Sequence, residues 1–329
     1  METLKKLSNL LAQQTSVFVI AVAVISYFFP ELFAWVKGYY SLTIIAIIMF
    51  SMGLTITTEN FKILMSRPVD IFIGAVAQYT IMPCVAWTIA KVFQLPNEIA
   101  VGLILVGCAP GGVSSNIMSF LCHGDVPFSV GMTTASTLLA PVMTPLLMLL
   151  LAGERVDVPA SGMFLSIIET VIVPVGLGFF LNRFYGKTRT FKDVQQIMPS
   201  VAVIGLALIV GGVTALQGKN FFAAGVVVFV AVFCHNSIGY VLGYLVGRFF
   251  GMNVAKKRTL SIEVGMQNAG LATGLASVHL AMYPQAALAA AVSCVWHSIS
   301  GTLLANFYAW LDLRREKRAS EVSAETAAD

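Results

Sequence analysis

Ser261-Ile262-Glu263-Val264-Gly265-Met266-Gln267-Asn268-Ala269-Gly270 interrupts an apolar segment, and Ala109-Pro110-Gly111-Gly112-Val113-Ser114-Ser115-Asn116 interrupts another. Each places helix-breaking or permissive residues beside side-chain oxygens. Irregular backbone survives in hydrocarbon only where protein buries it or where it lines a cavity. Paired interruptions at corresponding points of two halves point to the binding site of a secondary transporter.

The rest of the 329-residue chain agrees with a membrane reading. It is 57% hydrophobic and 11% charged, with a mean hydropathy of +0.84, whereas soluble domains carry roughly 25% charge. The apolar runs predict an all-α, polytopic membrane protein with ten transmembrane helices of some 20 residues each. They fall at 15–29, 39–57, 69–93, 98–122, 126–151, 160–182, 197–217, 221–250, 254–281 and 284–311. With the N-terminus cytoplasmic, only Lys37, Lys91, Arg155 and Lys219 of the 20 Lys and Arg reach outer loops. The positive-inside rule therefore predicts an inner (plasma) membrane protein with both termini in the cytoplasm. The net charge of +4 carries no nucleic-acid message, because the basic residues are loop anchors.

Lys5 and Lys6 before an apolar stretch imitate a signal peptide, but no small-residue cleavage site precedes Pro30-Glu31. The segment is read as a first helix. The five cysteines are scattered and odd in number, which argues against a disulfide framework, and none has metal-ligand spacing. The polar residues 320–329 predict a disordered tail. The chain divides into repeats of about 10–152 and 160–311. Five spans each is an odd number, so the two inverted repeats enter the membrane from opposite sides, with the two broken helices crossing near the midplane.

Glu263 leads the candidate residues. An ionised carboxylate inside a bilayer is costly unless paired, and is a functional candidate by default. Its neighbours in sequence are oxygen donors: Gln267, Asn268 and carbonyls freed around Gly265. Oxygen-only ligands suit a hard cation. The competing reading is an ion pair with Arg258 at the cytoplasmic surface. In the other break, Pro110 removes a donor and the glycines release the helix, so a half-helix starts near Val113; a second starts near Asn268. Two such N-termini favour an anion; a kinked packing helix is the plain alternative. Ser129 and Thr133 share a helix face, where back-bonding to carbonyls competes with a ligand role. Gln78 fits an interhelical bond or a ligand equally. His297 either lines the cavity or is a satisfied core histidine. Glu169 is a second intramembrane carboxylate, with no partner evident in the sequence.

At these residues the chain resembles the bile acid:sodium symporter family. The resemblance rests on Ala109-Pro110-Gly111-Gly112, Ser115-Asn116, Glu263-Val264-Gly265-Met266-Gln267-Asn268 and Trp296-His297-Ser298. It spans residues 10–311 and is nearest to bacterial homologues of the apical sodium-dependent bile acid transporter, some proposed to carry ketopantoate or pantoate. The resemblance implies a core of spans 3–5 and 8–10 and a panel of spans 1, 2, 6 and 7. It implies one sodium ion held by Ser115, Asn116, Ser129, Thr133 and Glu263. A second would be held by Gln78, Glu263, Gln267 and the carbonyls of Val264 and Met266. Substrate would meet Val113, Ser114, Asn268, His297 and Ser298. Val113 and Ser298 stand where relatives often carry hydroxyl or amide groups, which leaves the substrate open.

The function expected is sodium-coupled symport of an organic anion by alternating access, with two Na⁺ as coupling ions and no cofactor. A channel or receptor is one alternative. The enzyme alternative is an intramembrane hydrolase using Ser114 or Ser115 with His297, but no G-x-S-x-G turn, metal signature or orienting carboxylate accompanies it.

Overall fold

The computed structural model describes residues 2–218 and 220–326. Lys219 and residues 327–329, which include the end of the expected tail, lie outside the described residues. The described residues are helical, with no β-strand.

The first half comprises α1 (Glu2–Gln13), α2 (Thr15–Phe28), α3 (Tyr39–Gly53), α4 (Thr58–Ser66), α5 (Pro68–Val92), α6 (Asn97–Cys108), α7 (Ser114–Leu121) and α8 (Val126–Ala152). The second comprises α9 (Ala160–Ile167), a π-helical turn (Ile168–Ile172), α10 (Val173–Tyr185), α11 (Arg189–Gln195), α12 (Met198–Gln217), α13 (Asn220–Phe249), α14 (Val254–Gly265), α15 (Ala269–His279) and α16 (Pro284–Thr326). Several starts follow from local chemistry. Asp125 accepts from the Phe128 N–H ahead of α8, Asn253 from Lys256 ahead of α14, and Asn268 from Leu271 ahead of α15. Each satisfies an orphan donor of the first turn.

Six stretches are long and apolar enough to cross a membrane: Pro68–Val92, Val126–Ala152, Ala160–Tyr185, Arg189–Gln217, Gly225–Phe249 and Pro284–Arg314. Tyr39–Gly53 with Thr58–Ser66, bent by 80°, makes a seventh. The expected ten do not emerge from length and apolarity alone. The helix α2 has 14 residues, and the breaks divide two other segments into helices of 12 and 8 and of 12 and 11 residues. The chain is a multi-pass membrane protein.

Three elements depart from the sequence reading. The stretch 39–57 ends as a helix at Gly53 because Thr57 starts a new one: its N–H donates to Asn60 Oδ1 at 2.6 Å, closing a capping box. An additional helix, α1, precedes the first span. Lys5 pairs with Asp193, and Ser8 Oγ donates to the Gln196 carbonyl at 3.1 Å, tying α1 to α11. The last helix continues to Thr326, past the point where disorder was expected; its Ala-, Glu-, Lys- and Arg-rich composition favours helix.

The centre is α6, buried at every position from Ile99 to Cys108. A helix apolar all round belongs inside. It packs on α5, α8, α15 and α16, and so carries the first break into the middle of the molecule.

Candidate functional site

The two breaks meet. After α6 the chain is extended at Ala109, and Pro110, Gly111 and Gly112 run beside Met266, Gln267 and Asn268. The Gly112 N–H donates to the Met266 carbonyl at 2.9 Å, and the Asn268 N–H to the Pro110 carbonyl at 2.7 Å. An antiparallel bridge thus joins Gly111 to Gln267. Further freed groups find side chains: Gly111 N–H donates to Ser136 Oγ at 3.1 Å, and Asn236 Nδ2 donates to the Gly265 carbonyl at 2.6 Å. Unwound backbone is in this way satisfied without water. Only glycine permits the approach at 112, where a Cβ would lie 2.8 Å from the Gln267 oxygen.

Glu263, 1% exposed, lies at this crossing. Its Oε1 accepts from Ser115 Oγ at 2.5 Å and from Ser129 Oγ, and its Oε2 from Thr133 Oγ1 at 2.8 Å. Asn116 Oδ1 accepts from Ser129 Oγ at 2.8 Å and from Thr133 Oγ1 at 3.4 Å. The structure therefore gathers Ser115, Asn116, Ser129, Thr133 and Glu263 from α7, α8 and α14 into one cluster of oxygens. Gln78 Nε2 donates to Gln267 Oε1, and Gln267 Nε2 to the Val264 carbonyl at 2.9 Å. The Met266 carbonyl receives Gly112. Among the described hydrogen bonds neither Gln78 nor Gln267 reaches Glu263, so the second set joins the first through the backbone of the break.

The competing ion pair is not formed. Arg258 holds Asp312 instead, at 2.5 and 2.6 Å, and donates to the Cys122 carbonyl at 2.8 Å. Among the described hydrogen bonds His297 reaches neither serine of the hydrolase alternative. Its Nδ1 lies 3.3 Å from the Gln267 carbonyl, while Ser115 Oγ faces Gly112 and Glu263.

A cavity of about 390 Å³ opens beside the crossing, within the range of small-molecule sites. Val113, Ser114, Asn268, His297 and Ser298 all line it. Asn116, Thr133 and Gln267 reach its wall from the oxygen clusters. The opposite wall is mostly apolar, from α3 and α12, including Ile45, Met49, Met52 and Leu206. From the crossing the cavity extends to Thr15, Asn60 and Met198 at the ends of three helices. No Lys or Arg lines it. Glu169 is away from it, exposed on the π-helical turn.

The profile of the sodium bile acid symporter family matches residues 42–224. The chain belongs to that family. Members with similar sequences include the uncharacterized sodium-dependent transporter YocS of Bacillus subtilis (strain 168), 42% identical over 324 residues, or 98% of this chain and 99% of YocS. The probable sodium/metabolite cotransporter BASS1, chloroplastic, of Arabidopsis thaliana is 39% identical over 279 residues, 85% of this chain and 69% of the relative. Its rice counterpart in Oryza sativa subsp. japonica is 36% identical over 307 residues, 93% and 75% respectively. Both breaks and the Glu263 cluster fall within the stretch shared with YocS at nearly full length.

Sequence reasoning missed two groups of this family member's site. Asn236, which braces Gly265, carried the same signal as Gln78, an amide within a span. The α3 and α12 wall carried none, because Ile, Met and Leu in a span look the same whether they face lipid or a cavity.

Proposed function

We propose that this protein is a sodium-coupled symporter of an organic anion, of pantoate or ketopantoate type or of bile-acid type. The observation that carries the proposal is the surplus of acceptors around buried Glu263. Ser115, Ser129 and Thr133 each supply one proton. Each lies within hydrogen-bond reach of two or three acceptors, among them both carboxylate oxygens, Asn116 Oδ1 and the carbonyls of Gly112 and Ser129. A hard cation takes up such oxygens. In the proposal one sodium ion sits among Ser115, Asn116, Ser129, Thr133 and Glu263. The other uses Gln78, Glu263, Gln267 and the carbonyls of Val264 and Met266. The relatives, named as a sodium-dependent transporter and as sodium/metabolite cotransporters, support sodium coupling.

Two sodium ions beside one carboxylate leave a positive surplus, and the N-termini of α7 and α15 add to it. A monovalent organic anion cancels it in a cavity that has no Lys or Arg of its own. Such a cycle moves net positive charge inward, so the membrane potential contributes about 2.3 kcal/mol per charge per 100 mV. The test is a thermal-shift titration of pantoate, ketopantoate and taurocholate in sodium and in potassium. Stabilisation by at least one anion in sodium alone is expected; equal response in both salts would refute the coupling.

Asn268→Asp separates substrate from fold. Aspartate caps a helix as well as asparagine, so α15 is retained, but a second negative charge now faces the anion. Like charges brought together cost several kcal/mol. Anion affinity is expected to fall at least about tenfold with the melting temperature nearly unchanged. Undiminished anion binding would remove Asn268 from the substrate site.

Ten spans in two inverted repeats, with both termini cytoplasmic in the inner membrane, complete the proposal. The cavity mouth at Thr15, Asn60 and Met198 is then the cytoplasmic one, and this is an inward-facing state. All described ion pairs fall within the proposed core or within the proposed panel and its appended helices: Lys5–Asp193 in the latter, Arg67–Asp125, Lys256–Asp70, Arg258–Asp312 and His123–Asp312 in the former. At the closed outer end, core meets panel through His279 Nε2 and Ser166 Oγ at 2.8 Å, and through Gln217 Nε2 donating to the Pro284 carbonyl at 2.5 Å. Alternating access must break both. A cross-link in the double variant Ser166→Cys, His279→Cys is expected to stop uptake while sodium still binds from the open side. Transport at the normal rate after cross-linking would discard the rocking movement.

A further inference from the structure

A second cavity of about 100 Å³ lies between α3, α8 and α10. It shares Met52, Ile56 and Thr134 with the main cavity, so the two adjoin across these side chains. Its far wall comes from Ile172, the last residue of the π-helical turn, and from Gly176 and Phe179 on α10 beyond it. Thr134 turns its hydroxyl away, donating to the Val130 carbonyl at 2.7 Å, and no charged side chain lines the space. Water gains little in such surroundings, because it needs two to four polar partners. A Cβ added at Gly176 would find no atom within 4 Å. The space beside this glycine is open.

We propose that this annex is a subsite for a short apolar group of the transported anion, whose charged end lies at the crossing of the breaks. The proposal rests on the anion-symport reading. It adds one feature of the substrate: an aliphatic group set apart from the charged end and seated in the annex. A water-sized group takes about 30 Å³, so the annex holds roughly three to four carbon groups. Apolar burial at this scale raises affinity about fourfold for each methylene. The main cavity supplies the matching polarity, with Ser114 and Asn268 at one end and the apolar wall of α3 at the other.

The test uses the full-length protein in lipid nanodiscs, titrated in sodium with unbranched monocarboxylates from butyrate to octanoate. In the wild type, affinity is expected to climb about fourfold per methylene until the annex is filled and then to level. In Gly176→Phe the ring occupies the open space, and the octanoate-to-butyrate affinity ratio is expected to collapse toward one. Ile172→Ala, which enlarges the annex, should move the plateau to longer chains, and serves if the first variant fails to fold. Affinities independent of chain length in the wild type would overturn the proposal and leave the annex to a bilayer acyl chain. A ratio that neither folded variant changes would overturn it too. If no anion responds to sodium at all, pantoate, ketopantoate and taurocholate included, the symport reading itself fails.

Discussion

Glu263→Ala is expected to abolish sodium-dependent stabilisation and uptake while the protein remains folded. Its carboxylate is the single charge at the crossing, and Ser115, Ser129 and Thr133 all point to it. Removing one partner of a buried charge pair typically costs about 3–5 kcal/mol. Sodium affinity should therefore drop more than about a hundredfold. The fold survives for a specific reason: no basic residue is stranded, since Arg258 is already held by Asp312. Each of the three hydroxyls keeps another acceptor within reach: the Gly112 carbonyl for Ser115, Asn116 Oδ1 for Ser129 and the Ser129 carbonyl for Thr133. Glu263→Gln refines the result, because it keeps the shape and removes only the charge. Thermal shifts in sodium against potassium and gradient-driven uptake in proteoliposomes measure both effects. A Glu263→Ala protein with unchanged sodium affinity would end the assignment.

The second large effect is expected from Gly112→Val. Here the Cβ would arrive 2.8 Å from the Gln267 oxygen and 3.2 Å from its carbonyl carbon. Backbone cannot yield there cheaply, because Gly112–Met266 and Asn268–Pro110 are bonded on either side. Overpacking of this kind costs about 1–3 kcal/mol, visible as a lower melting temperature. The functional loss should be larger than the stability loss, since separating the breaks moves the Glu263 cluster and both half-helix N-termini together. Sodium and anion binding are expected to fail jointly. Retention of either, with the other lost, would show that the two sites are positioned independently.

Much of this arrangement was legible because membrane chemistry makes some residues expensive. Pro110 with two glycines, and Glu263 followed by Gln267 and Asn268, have no inexpensive place in hydrocarbon, and they mark the crossing. The expected helix starts at Val113 and Asn268 coincide with the N-caps of α7 and α15. What stayed hidden depends on packing between distant segments. The π-helical turn precedes Pro174, whose missing N–H is a local signal for disruption, but not for its kind. The bend after Gly53 was hidden inside an apolar run, and only the Thr57-Asn60 pair announced it. Which Met or Ile faces the cavity is decided by the placing of α3 and α12 against the breaks, and no single segment records that.

The hydroxyl groups around Glu263 have a consequence for the empty carrier. A symporter has to return unloaded, and a bare carboxylate crossing the membrane interior would make that step slow. Ser115, Ser129 and Thr133 carry their protons on rotatable bonds. Each can aim a lone pair at an arriving cation and a proton at the carboxylate when the cation leaves. Hydroxyl rotation moves no backbone and opens no packing. On the symport reading, the same three side chains that hold the ion also dress the charge for the return stroke, so the unloaded half of the cycle need not wait for a proton from water.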